Sequence, residues 1–315
     1  MLLARRAGAL ERYLKRAAAG EPRGIHQARV ASRRLREAVP VLAAGLDGVK
    51  AGKARRKVRR VTRALGAIRE LDVTVSLVDE LARRETLPRL ALEQVRARVV
   101  AERDRRQVEV TKRLARVNTD KLARRLATLG AALAAAGSEP WRETLAARLA
   151  KRAKRLERAV DGAGRMYGAE RLHAVRIAVK KLRYAAEVAV DTGAPAAGPV
   201  RTLKRMQDLL GRLHDLQVLE THVAAVQAAP RSGALPDGGL AIIGRALEDE
   251  CRHLHARYLS GVPDLLAASE AVRHEIVSQV ARGSGRRRPL KMALPGPGSR
   301  SATRAATVRP GRQES

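Results

Sequence analysis

The sequence predicts an all-α protein: two pseudo-symmetric antiparallel helical bundles, made by an internal duplication, around a basic central groove. Three observations carry this reading. Apolar residues recur with helical period over nearly all of residues 1–281, in segments rich in the strong helix formers Ala, Leu, Arg and Glu. The breaks between segments are short and marked by Gly and Pro, and no strand alternation appears. One motif also occurs twice. It runs His26-Gln27-Ala28-Arg29-Val30-Ala31-Ser32-Arg33-Arg34-Leu35-Arg36, and again His173-Ala174-Val175-Arg176-Ile177-Ala178-Val179-Lys180-Lys181-Leu182-Arg183.

The first segment, Met1 to Ala19, is Arg-rich and amphipathic, as transit peptides are. Leu3, Ala7, Leu10 and Leu14 nonetheless have core-facing spacing, and the segment leads straight into the first motif, so it reads as a structural helix. Gly20-Glu21-Pro22 ends it. On the next helix His26, Arg29, Arg33 and Arg36 fall within an arc of roughly 80°, opposite Ala28, Ala31, Leu35, Ala38, Val39 and Leu42. Four such groups on one stripe repel one another unless an anion sits between them.

After the break at 45–52, Lys53, Arg56, Lys57, Arg60 and Arg63 form a second basic stripe within about 120°. Leu65-Gly66-Ala67-Ile68-Arg69-Glu70-Leu71-Asp72-Val73 follows on the same helix. A break at Thr86-Leu87-Pro88 precedes a long helix, Arg89 to Val117. Gly137-Ser138 divides the chain into half-repeats of about 1–137 and 138–281. Beyond Gly162 to Gly168 the second motif sets His173, Arg176, Lys180 and Arg183 against Leu182. After Gly193 to Pro199 comes a thinner basic set, Arg201, Lys204 and Arg205. Leu210-Gly211-Arg212-Leu213-His214-Asp215-Leu216-Gln217-Val218 then matches the first Leu-Gly element in step. Breaks at Pro230 to Gly239 and at Gly261-Val262-Pro263 complete a count of ten to twelve helices, and long amphipathic helices with short connections pack as antiparallel bundles.

Residues 282–315 are rich in Gly, Pro, Ser and Arg without apolar period and are expected to be a disordered basic tail. The tail holds nine Lys/Arg and one Glu, so the helical part keeps +24 of the net +32.

That charge, with 64 Lys+Arg against 32 Asp+Glu, calls for an anionic partner: nucleic acid, an acidic membrane surface or a phosphate polymer. Aromatic residues are only 2%, with no Phe and one Trp, which counts against binders that stack single-stranded bases. Phosphate recognition without base reading remains. Arg suits it through two parallel hydrogen bonds, and Lys through a mobile point charge. A membrane partner is not expected, since no apolar run approaches the ~18 residues of a span. The single Cys251 allows no intramolecular disulfide and fits a reducing cytosol. His26 and His173 lack an acidic partner at i+3 or i+4, so phosphate donation suits them better than metal ligation or general-base work. Cys251, His253 and His255 do not close a metal site, and Glu70, Asp72, Asp208 and Asp215 read as ion-pair partners that orient Arg side chains. No Walker A loop, Rossmann turn, His-Glu-x-x-His or protein-kinase set appears, and no cofactor is expected.

The doubled motif, each copy followed by Leu-Gly and an acidic-flanked Leu, resembles the CHAD family, the conserved-histidine α-helical domain. Arg183-Tyr184 followed by Glu187 is similar to that family's second half. The resemblance covers about residues 1–281. It implies two helical bundles with a basic central cavity, binding of inorganic polyphosphate, and a cytoplasmic location, at polyphosphate granules in some bacteria. It carries a ligand role onto His26, Arg29, Arg33, Arg34, Arg36, His173, Arg176, Lys180, Lys181 and Arg183. Many relatives are fused to a triphosphate tunnel enzyme domain. Its strands and Glu-x-Glu-x-Lys motif are absent here, so no catalytic residue is assigned. Two alternatives stand beside non-enzymatic polyphosphate binding: a nonspecific nucleic-acid backbone binder, and a phosphate-polymer hydrolase or transferase.

Overall fold

A computed structural model gives the fold and describes residues 2–46, 51–135, 139–194, 197–229 and 238–278. The expected tail, 282–315, lies outside the described residues. The described chain is all-helical, with nine α-helices: α1 Leu2–Ala18, α2 Pro22–Leu42, α3 Ala51–Leu81, α4 Arg89–Ala115, α5 Thr119–Ala135, α6 Glu139–Ala163, α7 Ala169–Asp191, α8 Ala197–Gln227 and α9 Gly239–Ala271, continued by a π-helical turn at Val272–Ile276.

Local chemistry sets several boundaries. Gly20, at φ 80°, closes α1 in a Schellman arrangement: its N–H reaches the Ala17 carbonyl and the Glu21 N–H reaches that of Arg16. Pro22 then opens α2, where its missing N–H costs nothing. Asn118 caps α5, its Oδ1 accepting the Lys121 N–H at 2.6 Å.

The count is nine rather than ten to twelve, chiefly because Gly261-Val262-Pro263 does not interrupt α9. Leu265, Ala268 and Val272 stay buried beyond it, so packing against the core outweighs the carbonyl bond that Pro263 forfeits. Gly261 serves close approach instead: a Cβ there would stand 2.7 Å from Met206 Cε of α8.

One apolar core runs through all nine helices, anchored by fully buried Leu3, Leu10, Ile25, Leu35, Leu65, Leu92, Leu126, Leu145 and Tyr258. α1 packs on α2 and α5, α2 on α3, and α3 on α4; α6 packs on α7, α7 on α8, and α8 on α9. Across the midpoint of the chain, α2 meets α7 and α6, and α3 meets α8. Glu37 of α2, nearly buried, is gripped by Arg148 at 3.5 Å and Arg152 at 2.5 Å from α6. Glu80 of α3 accepts both guanidinium nitrogens of Arg212 of α8, at 2.8 and 2.7 Å. These ion pairs hold α2 to α6 and α3 to α8 beside the site described next.

Candidate functional site

The polar faces of α2 and α7 meet, and this brings the two motifs together. Arg29 is the hub. Its Nη1 donates to the Gly66 carbonyl of α3 at 2.9 Å, and burial followed by the charge of Arg33 lowers its guanidinium to about 10. One turn away Ser32 and Thr62 pair at 3.0 Å in a buried contact that fixes α2 on α3. Arg33 and Arg36 continue the stripe. From α7, Arg176 and Lys180 face it: Arg33 acts on Arg176, and Arg33, Arg176, Arg29 and Arg36 all act on Lys180.

The electrostatics record the crowding. Burial, then those four guanidinium groups, pull Lys180 down to about 7. Burial and Arg69, Arg29 and Arg33 lower His26; burial, Arg176 and Lys180 lower His173. The site holds a further imidazole, His214 of α8, whose ring centroid lies 4.8 Å from that of His173. Burial with Arg176, His173 and Lys180 pushes His214 down to about 4. Every one of these shifts disfavours the cation, first because burial strips its water and then because its neighbours carry the same charge. Five carboxylates act on the cluster: Glu37 on Arg36 and Asp72 on Arg69, although Arg148 and Arg152 hold the first and Arg103 the second, Glu170 on His173, and Asp215 and Glu70. Asp215, itself raised by burial, lies within the field of Arg176 and Arg69; Glu70 acts on Arg29, Arg176 and His173. Against them stand Arg29, Arg33, Arg36, Arg59, Arg69, Arg176 and Lys180. Such an arrangement is built to receive a multiply charged anion.

Of the sequence-derived site residues, seven converge here: His26, Arg29, Arg33, Arg36, His173, Arg176 and Lys180. The others lie elsewhere, and each has a physical reason. Arg183 is buried: it is paired with Glu187, bonded to Gln207 at 2.9 Å and set 4.4 Å over the Tyr184 ring. Arg34 lies about 120° round α2 from the stripe, pairs with Glu187 at 3.2 Å and lines a separate cleft of about 670 Å³ with Arg5, Arg6, Asp191 and Arg201. Lys181 is exposed beside the Arg152–carbonyl contact. Lys204 pairs with Asp208 at 2.6 Å, and Arg205 reaches Thr202 at 3.3 Å.

The stripe of Lys53, Arg56, Lys57, Arg60 and Arg63 lies away from the contact between α2 and α3. The face of α3 that meets α2 is marked by Thr62 and Gly66. The stripe is centred more than 100° from it. Lys57 instead donates to the Asn118 carbonyl at 3.2 Å and feels Arg125, Lys121 and Arg60.

Sequence reasoning missed Arg59, Arg69 and His214 as site residues. A signal for two of them was present. The matched Leu-Gly elements align Arg69 with His214 and Glu70 with Asp215, a basic group followed by an acid at the same step in both. The remaining acids behave as ion-pair partners: Asp72 takes Arg103 at 2.8 Å and Asp208 takes Lys204. Among the described residues no group of three or more His, Cys, Asp or Glu side chains could hold a metal ion. No described helix is long and apolar enough to cross a membrane.

Comparison with known proteins agrees with this architecture. The chain is similar to the crystal structure of the CHAD domain from the plant Ricinus communis, with TM-score 0.53 and 21% identity over 85% of this chain and 92% of that one. It is also similar to PptA from Streptomyces chartreusis, with TM-score 0.56 and 17% identity over 88% and 96% of the two chains. No curated protein matches it. The CHAD domain family model matches residues 2–224, more than half of the 315 residues, and the chain therefore belongs to the CHAD domain family.

Proposed function

We propose that this protein binds inorganic polyphosphate in the cluster between α2, α3, α7 and α8, and that it does so without chemical turnover. One observation carries the reading: two matched His/Arg/Lys stripes, far apart in sequence, face each other, and with Arg59 and Arg69 of α3 they gather seven Arg and Lys side chains, while two of the carboxylates in reach, Glu37 and Asp72, are already held by other arginines. A linear phosphate polymer supplies closely spaced negative charge and asks for no base-reading or stacking groups. Arg29, Arg33, Arg36 and Arg176 would donate paired hydrogen bonds to phosphate oxygens, Lys180 a point charge, and the three histidines N–H donors. A cytoplasmic place, at polyphosphate granules where these form, belongs to the same proposal.

The test is a calorimetric titration of the pure protein with polyphosphate of defined length and with duplex DNA at matched salt. Polyphosphate should displace DNA at far lower phosphate equivalents. Equal competition by DNA would make the cluster a nucleic-acid backbone site instead. Release of orthophosphate in the presence of divalent ions would make the protein an enzyme.

A further inference from the structure

Polyanion binding uses the charge of Lys180 and leaves its chemistry as an amine unused. Other lysines have partners: Lys204 holds Asp208 at 2.6 Å, and Lys57 donates to the Asn118 carbonyl at 3.2 Å. Among the described residues Lys180 joins no hydrogen bond and no ion pair, and it is only half-buried, so a small molecule can reach it. It faces Arg29, Arg33 and Arg36 from α2, Arg176 and His173 from α7, and His214 from α8. Lys181, the next residue, is exposed and points about 100° away round α7. A lysine desolvated among other cations is an activated nucleophile. The guanidinium groups around it can grip a phosphate beside the attacking nitrogen. Burial and those groups lower Lys180 to about 7, so near neutral pH it holds about a thousandfold more free amine than an ordinary lysine. As with thiolates, a less basic nitrogen attacks more slowly, which offsets part of that excess.

We propose that Lys180 is a site of covalent acylation by small acyl phosphates, whose phosphate the arginines of the cluster hold while the lysine attacks. The Nζ lone pair attacks the carbonyl carbon, and the bond from that carbon to the bridging oxygen breaks. Phosphate leaves with the proton that the amine gives up, and an amide remains. Nothing is oxidised or reduced, and no further reactant is needed. The amide carries no charge, so the cluster loses one of its seven Arg and Lys charges and holds polyphosphate less tightly. That consequence rests on the proposed function; the acylation itself does not. Bound polyphosphate occupies the same arginines and keeps the amine charged, so it protects Lys180.

The full chain is incubated with acetyl phosphate from about pH 6 to about pH 10, and acetylation of each lysine is timed by peptide mass spectrometry. Lys180 should react at least about tenfold faster than Lys181 at about pH 7.5. Its rate should level off above about pH 8, while that of Lys181 climbs to about pH 10. Arg33→Gln should slow Lys180 about threefold or more and leave Lys181 unchanged. Lys180 reacting no faster than Lys181, or with a rate that climbs to about pH 10, overturns the site. An equally large preference for Lys180 with the neutral ester p-nitrophenyl acetate overturns recruitment through phosphate. Protein acetylated at Lys180 should bind polyphosphate of defined length about tenfold less tightly. Preferential acetylation in a protein that polyphosphate neither binds nor protects would uphold the modification site and refute the polyphosphate reading.

Discussion

Arg29 Nη1 donates to the carbonyl oxygen of Gly66 at 2.9 Å, and its guanidinium lies tight against the place a side chain at Gly66 would take. A Cβ at Gly66 would lie 3.3 Å from that nitrogen, whereas a Cβ at the matched Gly211 meets nothing within 4 Å. The two glycines occupy the same step of a repeated element but do different work.

Gly211→Ala is accordingly expected to stabilise the protein by up to about 1 kcal/mol, the ordinary gain for a helix interior. Gly66→Ala should gain less and should also weaken polyphosphate binding by displacing Arg29. Thermal melts and titrations of the two variants check this. Equal effects on stability and on binding would refute the difference.

Adjacent residues of equal charge separate site from surface. Arg33→Gln and Lys180→Gln each remove a group from the cluster and should each cost about tenfold in affinity, roughly 1.4 kcal/mol. Arg34→Gln and Lys181→Gln, one position along, should cost less than about twofold. The salt slope should flatten by about 0.7 for each cluster residue and stay unchanged for its neighbour. If all four changes act alike, affinity follows net charge rather than the cluster.

Binding should take up protons. Lys180 faces Arg29, Arg33 and Arg36 from α2, Arg176 and His173 from α7, and His214 from α8. A bound polyanion favours its ammonium form and raises its pKa from about 7 towards the ordinary 10.5. Between about pH 7 and pH 10 the free protein holds Lys180 mostly neutral and the complex holds it charged. Affinity therefore rises as pH falls through that window. Below it His26, His173 and His214, all lowered in the free protein, add their own uptake. Calorimetry in buffers of different ionisation enthalpy counts the protons, and zero uptake at about pH 8 refutes the Lys180 assignment.

The unliganded fold should show the converse. An unfolded Lys titrates near 10.5 and folded Lys180 near 7, so the unfolded chain holds more protons between these values and stability rises with pH there. Lys180→Met removes that burden. It should raise the thermal midpoint at pH 7 by about 2–4 °C while weakening polyphosphate binding. A lowered midpoint would show that Lys180 supports the fold.

Removing Arg282–Ser315 takes away +8 of the +32 but none of the cluster. Affinity for a short polyphosphate chain should stay within about tenfold of the full chain. A larger loss moves the site to the tail.

Helical period, Gly and Pro punctuation and the doubled motif determined the all-α fold, most helix boundaries and the shared stripe of His26, Arg29, Arg33 and Arg36 on α2 and of His173, Arg176 and Lys180 on α7. These are properties of each helix about its own axis, and the 3.6-residue repeat alone decides them. Tertiary packing decided the rest. Arg36 and Arg183 hold the same angular place in their own motifs. Arg36 faces the cluster, whereas Arg183 is buried on Glu187, Gln207 and Tyr184. The α3 stripe is as cationic as the motif beside it, yet it faces α5 because Thr62 and Gly66 occupy the contact with α2. A sequence gives the angle of a charge on its helix. Which neighbour covers that angle is set by how the apolar faces pack, and that contact decides whether the charge is paired, buried or left facing others of its own sign.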